Sequence, residues 1–187
     1  MLKKRDLDMQ EVTTLYTLST DAAVYPYVRQ KASTVDEFYF LTKQMIIREQ
    51  NRELISRTIL DEFEQPIGTI TLYDIENNRG FLATCVGKPY FGKGYNKMAK
   101  EQFLHEIFIN QNIETVFLKI NRHNIRSLKA IAKLPYSMLA NELYKETYET
   151  INAAERKYEL FVIEKNFYED YLQFQNERDM ASTEDVS

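Results

Sequence analysis

Residues Thr84 to Phe103 read TCVGKPYFGKGYNKMAKEQF, and the fold turns on how this stretch is read. It continues an apolar, β-prone run of Phe81, Leu82, Ala83, Cys85 and Val86, passes Gly87 and Pro89, and reaches Phe91-Gly92-Lys93-Gly94-Tyr95. A long helical pattern follows directly. A strand that turns through glycines into a helix leaves the first backbone N–H groups of that helix without partners. Together with the positive end of the helix dipole they form an anion site, most naturally for phosphate. Lys93, Lys97 and Lys100 put three cations where the dipole alone disfavours them, so a negative ligand is expected. A plain tight turn fits the two glycines equally well. Lys93 is followed by Gly94 rather than Ser or Thr, which excludes the usual phosphate loop of nucleotide triphosphatases. Lys97 stands where the dinucleotide fingerprint needs its third glycine, which makes a dehydrogenase a poor reading.

Outward from the turn, Tyr95, Ala99, Phe103 and Ile107 form an i,i+4 row that Leu104 and Phe108 widen, as for a helix pressed on a sheet. Val116, Phe117, Leu118 and Ile120 predict a strand apolar on both faces. Asn124 caps the next helix and Pro135 is expected to stop it. Strands are expected from about Tyr136 to Tyr144 and from Tyr158 to Glu164, joined by a long acidic connection over 145–157. Toward the N-terminus, residues 2–6 suit a short strand, and Asp6 or Asp8 caps a helix carrying Met9, Val12 and Leu15. A loop over 19–33 holds Tyr25, Pro26 and Tyr27. Thr34 opens a second helix with Glu37 completing a capping box. Glu53 to Phe63 and Ile67 to Ile75 predict a hairpin, and Asn77-Asn78-Arg79-Gly80 turns into the strand at 81–87.

Composition narrows the class. The chain has 187 residues, a formal net charge of −4, one cysteine and five glycines. The length suits one domain, expected over 1–174, with 175–187 as a polar, frayed or disordered tail. The acidic balance argues against a nucleic-acid partner, and no apolar run approaches a membrane span. Cys85 alone forms no intrachain disulfide, which suits a reducing, cytoplasmic setting.

The Gly92-Lys93-Gly94-Tyr95 turn, preceded by Pro89, Tyr90 and Phe91, resembles the acyl-CoA-binding turn of the GNAT N-acetyltransferases. Asn124-Ile125-Arg126-Ser127, followed by Lys133-Leu134-Pro135-Tyr136, is similar to the family's N-x-x-S … K-L-G-F segment. The resemblance spans roughly Met1 to Asn166 and points to the branch of the ribosomal-protein N-terminal acetyltransferases. The chain departs from the pattern in having Phe91 for Gln or Arg, Asn96 at the end of the turn, Pro135 for glycine, and Ile131 where many members carry an acid-acting tyrosine.

The resemblance implies a mixed α/β fold with a mostly antiparallel central sheet of about seven strands and helices on both faces. It further implies that the strands at 81–87 and 115–120 splay to admit the pantetheine arm. Acetyl-CoA would be held by Cys85, Val86, Gly87, Phe91, Gly92, Lys93, Gly94, Tyr95, Asn96, Lys97, Asn124 and Ser127, with no metal. The partners implied are acyl-CoA and an amine acceptor such as a peptide or protein N-terminus, with a homodimer as a further expectation.

Acetyl transfer needs a neutral amine, a polarised thioester carbonyl and a proton for the thiolate. An α-amino group, with a pKa near roughly 8, asks less of a base than a lysine amine near about 10.4. The resemblance implies backbone N–H groups at Cys85 or Val86 as the oxyanion donors. Ser127, in the first turn of a helix, is the candidate thiolate proton donor, although serine is common at helix starts for capping alone. The base is not identified: Asp74 and Glu76 act through a water or merely solvate the hairpin. Tyr25, Tyr27, Glu142 and Glu146 are candidates to line the acceptor site, the glutamates either as a rim for a cationic amine or as a solvated face. Three readings remain: an acyl-CoA-dependent N-acyltransferase, a catalytically weak acyl-CoA-binding regulator, and a partner-binding domain that uses no cofactor.

Overall fold

The computed structural model describes residues 1–184. Residue contacts divide the chain into two compact units, Met1–Asn112 and a second from Ile113 onward. The first unit runs β1 (Leu2–Lys4), α1 (Met9–Thr20), α2 (Val35–Gln50), β2 (Ile55–Leu60), β3 (Pro66–Glu76), β4 (Arg79–Val86) and α3 (Tyr95–Asn110). Its four strands pair antiparallel in sequence order. The second unit runs β5 (Thr115–Asn121), α4 (Ile125–Ile131), β6 (Met138–Leu139), α5 (Lys145–Ile151), β7 (Tyr158–Glu164) and α6 (Lys165–Glu184). There β7 pairs antiparallel with both β5 and β6. Among the described residues, seven strands and six α-helices make the mixed, mostly antiparallel α/β architecture expected of the acyl-CoA N-acyltransferase fold.

Local chemistry explains the elements. Glu11 N–H donates to the Asp8 carboxylate at 2.8 Å, capping α1. Glu37 N–H donates to Thr34 Oγ1 at 3.1 Å, and the Glu37 carboxylate takes Ser33 N–H at 2.6 Å, so the box closes one residue early. Asn77 and Asn78 both adopt positive φ (50° and 61°), the geometry of a tight hairpin between β3 and β4. On α3, Ala99, Phe103, Leu104, Ile107 and Phe108 are wholly buried, as their spacing predicts.

Four expectations are corrected. The strand expected over 136–144 is reduced to Met138–Leu139. Ser137 Oγ donates to the carbonyls of Ile131 and Leu134, and Tyr144 N–H donates to Ala140 O, so turns consume the backbone on either side. The acidic connection at 145–157 contains α5, with Glu146 in its first turn, where the dipole favours a carboxylate. The stretch from Gln175, expected as a frayed or disordered tail, continues α6 to Glu184; residues 185–187 of that tail lie outside the described residues. Helix α4 also ends at Ile131, four residues before Pro135.

Candidate active site

The glycine bend stands open. Strand β4 ends at Val86, Gly87 N–H donates to Ile67 O, and a single 3₁₀ turn over Lys88–Tyr90 leads to Phe91. Gly92 and Gly94 take φ of 74° and 88°, which side-chain-bearing residues rarely adopt. A Cβ at either would meet nothing within 4 Å. Residues 92–94 are exposed, and among the described residues no acceptor meets the backbone N–H groups of Gly92, Lys93, Gly94, Tyr95, Asn96 and Lys97. A run of unmatched amides at the start of a 16-residue helix is an anion cradle, and the residues present suit the phosphates of an acyl-CoA.

The three expected cations behave differently. Lys93 lies exposed, its ammonium 5.6 Å from the Tyr90 ring. Lys97 pairs with Glu101 at 3.7 Å. Lys100 is buried in the α3 core, donates to the Asn96 side-chain oxygen, and is pushed down to about 8 by burial. Tyr95 donates its hydroxyl to Glu62, which holds the tyrosine up near 12 and the carboxylate below its ordinary value, and ties the β2–β3 turn to the start of α3.

The β4 edge follows from ladder geometry. Gly87 N–H bonds Ile67 O, and the register pairs Cys85 with Thr69 and Val86 with Gly68. Antiparallel pairs alternate between bonded and non-bonded, so the Cys85 amide turns toward β3 while the Val86 amide turns to the opposite edge. A Cβ on Gly68 would sit 2.1 Å from the Cys85 carbonyl oxygen, so β3 approaches β4 more closely than any side chain permits.

On the α1/α2 face of the same unit a cavity with about 100 Å³ of water-accessible space opens over β3 and β4. Thr69, Thr71, Ala83 and Cys85 contribute its floor, and Leu15, Leu18, Phe38, Leu41 and Met45 its walls. Arg5, Tyr27 and Arg29 add polar groups. Arg5 is buried, which lowers its pKa, and one of its N–H groups donates to Thr42 Oγ1 at 3.2 Å. The Arg29 guanidinium lies 4.2 Å from the centre of the Tyr73 ring. Leu18 also touches the chain at the bend: a Cβ on Gly87 would lie 2.5 Å from its Cδ2.

Of the residues singled out by sequence, Tyr27 lines this cavity and Tyr25 does not. Asp74, at a positive φ of 52°, and Glu76 are exposed at the end of β3, and neither lines the cavity. In the second unit, Asn124 caps α4 by accepting Ser127 N–H at 3.1 Å, so those two are brought together and Ser127 is half-buried. Glu142 and Glu146 are exposed. Sequence reasoning missed Arg5, Arg29, Thr42 and Thr71. They come from separate elements, and nothing local marks any of them. Among the described residues, no group of three His, Cys, Asp or Glu side chains could hold a metal ion.

Residues 4–136 match the family model described as an acetyltransferase (GNAT) domain. No curated protein matches the sequence. Similar solved structures include a mutant of the spermidine N-acetyltransferase SpeG from Vibrio cholerae, at 14% identity and a TM-score of 0.68, covering 90% of this chain and 96% of that one. The apo form of FdhC, described as a nucleotide-linked sugar GNAT, gives 16% identity and a TM-score of 0.71, covering 93% and 92%. A protein provisionally described as a ribosomal-protein-serine acetyltransferase, also from Vibrio cholerae, gives 16% and 0.67, covering 87% and 92%. These likenesses show the fold, and the family model spans most of the chain. The protein belongs to the GNAT family of acetyltransferases, enzymes that move an acyl group from coenzyme A to an amine.

Proposed function

We propose that this chain transfers an acetyl group from acetyl-CoA directly to a primary amine, at a peptide or protein N-terminus or on a small molecule, in the cytoplasm. The observation that carries the reading is the open glycine bend, whose N–H groups from Gly92 to Lys97 meet no acceptor among the described residues. Phe91 and the amides from Gly92 to Asn96 hold the phosphates, with Lys93 and Lys97 as flanking cations. The β4 edge at Cys85–Gly87 receives the pantetheine arm, and the outward Val86 amide is the better oxyanion donor of the two candidates because the ladder engages Cys85. Asn124 orients the start of α4. Ser127 supplies the proton to the departing thiolate. Asp74 and Glu76, on the strand that carries Thr69 and Thr71, are the carboxylates for a base that works through water.

Calorimetric titration of acetyl-CoA, followed by free-thiol release with a panel of amines, tests the reading. Saturable binding and release with at least one amine are expected. Absence of binding overturns it, whereas binding without release from any amine favours the ligand-binding regulator. Ser127→Ala is expected to lower kcat on the order of ten- to a hundredfold with little change in acetyl-CoA affinity. An unchanged kcat removes Ser127 from the mechanism.

A further inference from the structure

The cavity on the α1/α2 face has a charge that the family assignment does not dictate. Its described lining includes two guanidinium groups, Arg5 and Arg29, and no aspartate or glutamate. A polyamine entering it would meet two like charges in a partly desolvated space, where repulsion is stronger than in water.

Neither guanidinium is fully satisfied. Arg29 lies on the Tyr73 ring at 4.2 Å, and among the described residues no carboxylate pairs with it. A guanidinium held over a ring face by cation–π attraction still has N–H donors to offer, in the fork geometry that suits carboxylate and phosphate. Arg5 is only 8% exposed, and its Nε is buried without a hydrogen bond. Its carboxylate neighbour Glu11 stands 4.0 Å from that Nε and is already engaged by Lys3 at 2.6 Å and by the Thr58 hydroxyl. A buried charge so weakly met is costly unless something else supplies the oxygen. The wall formed by Leu15, Leu18, Phe38, Leu41 and Met45 suits an apolar body.

We propose that the acceptor is an amine carried on an apolar body together with an oxyanion, carboxylate or phosphate, which docks on Arg29 and Arg5, and that polyamines are poor substrates. This rests on reading the chain as an amine acyltransferase with this cavity as its acceptor site. Arg29 selects by binding and takes no part in the proton transfers.

Matched pairs test it. Thiol release is measured with L-leucine against L-leucinamide, O-phosphoethanolamine against ethanolamine, and spermidine. The anion-bearing member of a pair is expected to exceed its partner by about tenfold or more in kcat/KM, and the pair that shows this tells carboxylate from phosphate. Arg29→Gln is expected to remove most of that preference through KM, with acetyl-CoA titrating as in the parent protein. Spermidine outpacing both anions, or Arg29→Gln altering both members of a pair alike, overturns the proposal. Saturation-transfer NMR of L-leucine and O-phosphoethanolamine with the protein alone is independent of turnover. Signal for at least one probe, lost in Arg29→Gln, is expected. Signal for neither, or equal signal in the variant, overturns the anion subsite. Failure of acetyl-CoA to bind would instead overturn the acyltransferase reading and leave this binding result to stand by itself.

Discussion

The glycine bend and the α1/α2 cavity lie in one compact unit and are built by opposite means. The bend is made of main chain: two positive-φ glycines and a row of unmatched amides over consecutive residues. The cavity is made of side chains from six separate stretches, with Arg5 and Cys85 eighty positions apart in sequence. A main-chain site can be read locally, because glycine placement and helix onset leave a short pattern. A side-chain site exists only once the tertiary fold has brought distant positions together. The proposed cofactor site is therefore written in one stretch of sequence, and the proposed acceptor site is not.

Substitutions that separate the two kinds of construction test this contrast. The largest effect is expected at Gly68, where any Cβ would sit 2.1 Å from the Cys85 carbonyl oxygen and 2.9 Å from Val86 Cα. Gly68→Val should cost about 3 kcal/mol or more of stability, read as a lowered urea midpoint, because backbone rather than a movable side chain stands in the way. A midpoint close to the parent's would show that β3 and β4 can separate freely, and the main-chain account of the β4 edge would fail.

Lys100 comes next. Its pKa in the folded chain is about 8, against about 10.4 for an unfolded lysine. Between those values the unfolded chain binds more protons, so stability rises with pH from about 8 to about 10.4, and below 8 the full cost of burying the ammonium is present. Lys100→Met should remove that rise and stabilise the protein at pH 7, by at most on the order of 3 kcal/mol. Denaturant midpoints at pH 7 and pH 9.5 decide it; a variant less stable at pH 7 would mean that the ammonium has a favourable role.

Gly94→Ala should act more narrowly. The added methyl meets nothing, so only the left-handed φ of 88° is penalised, at about 1–2 kcal/mol. If the amides of the bend hold the phosphates, acetyl-CoA affinity should weaken about tenfold as the turn relaxes, measured by calorimetry. Unchanged affinity would place the phosphates elsewhere. The smallest effect is expected from Glu142→Gln with Glu146→Gln, two exposed acids whose loss should change kcat/KM for the preferred acceptor by less than about twofold. A larger drop would restore an acidic rim to the account of acceptor binding.

Legibility varied with how local the cause of each element is. Strand β7 occupies Tyr158–Glu164 as expected, because the continuous apolar run Leu160–Ile163 ends at a helix start. Thr34 and Glu37 announced α2, and the apolar run in β5 announced a buried strand. The segment at 136–144 misled because Tyr136, Met138, Leu139 and Leu143 look β-prone, yet the Ser137 hydroxyl donates to the Ile131 carbonyl and the Asn141 side-chain oxygen accepts Leu160 N–H, contacts that strand periodicity does not register. Helix α5 is seven residues long, too short for a helical period to stand out among glutamates and threonines. Lys100 was read as a cation for a ligand because its spacing from the bend allowed it; its burial depends on packing that the local sequence does not carry.

One contact joins the two constructions. The Leu18 side chain that walls the cavity also rests on the backbone at Gly87, where β4 gives way to the bend. Enlarging the proposed acceptor chamber by trimming Leu18 would therefore also remove the side chain packed against Gly87, where the chain enters the proposed phosphate cradle. If both proposed sites hold, redesigning substrate choice and preserving coenzyme grip are coupled problems that meet at Leu18.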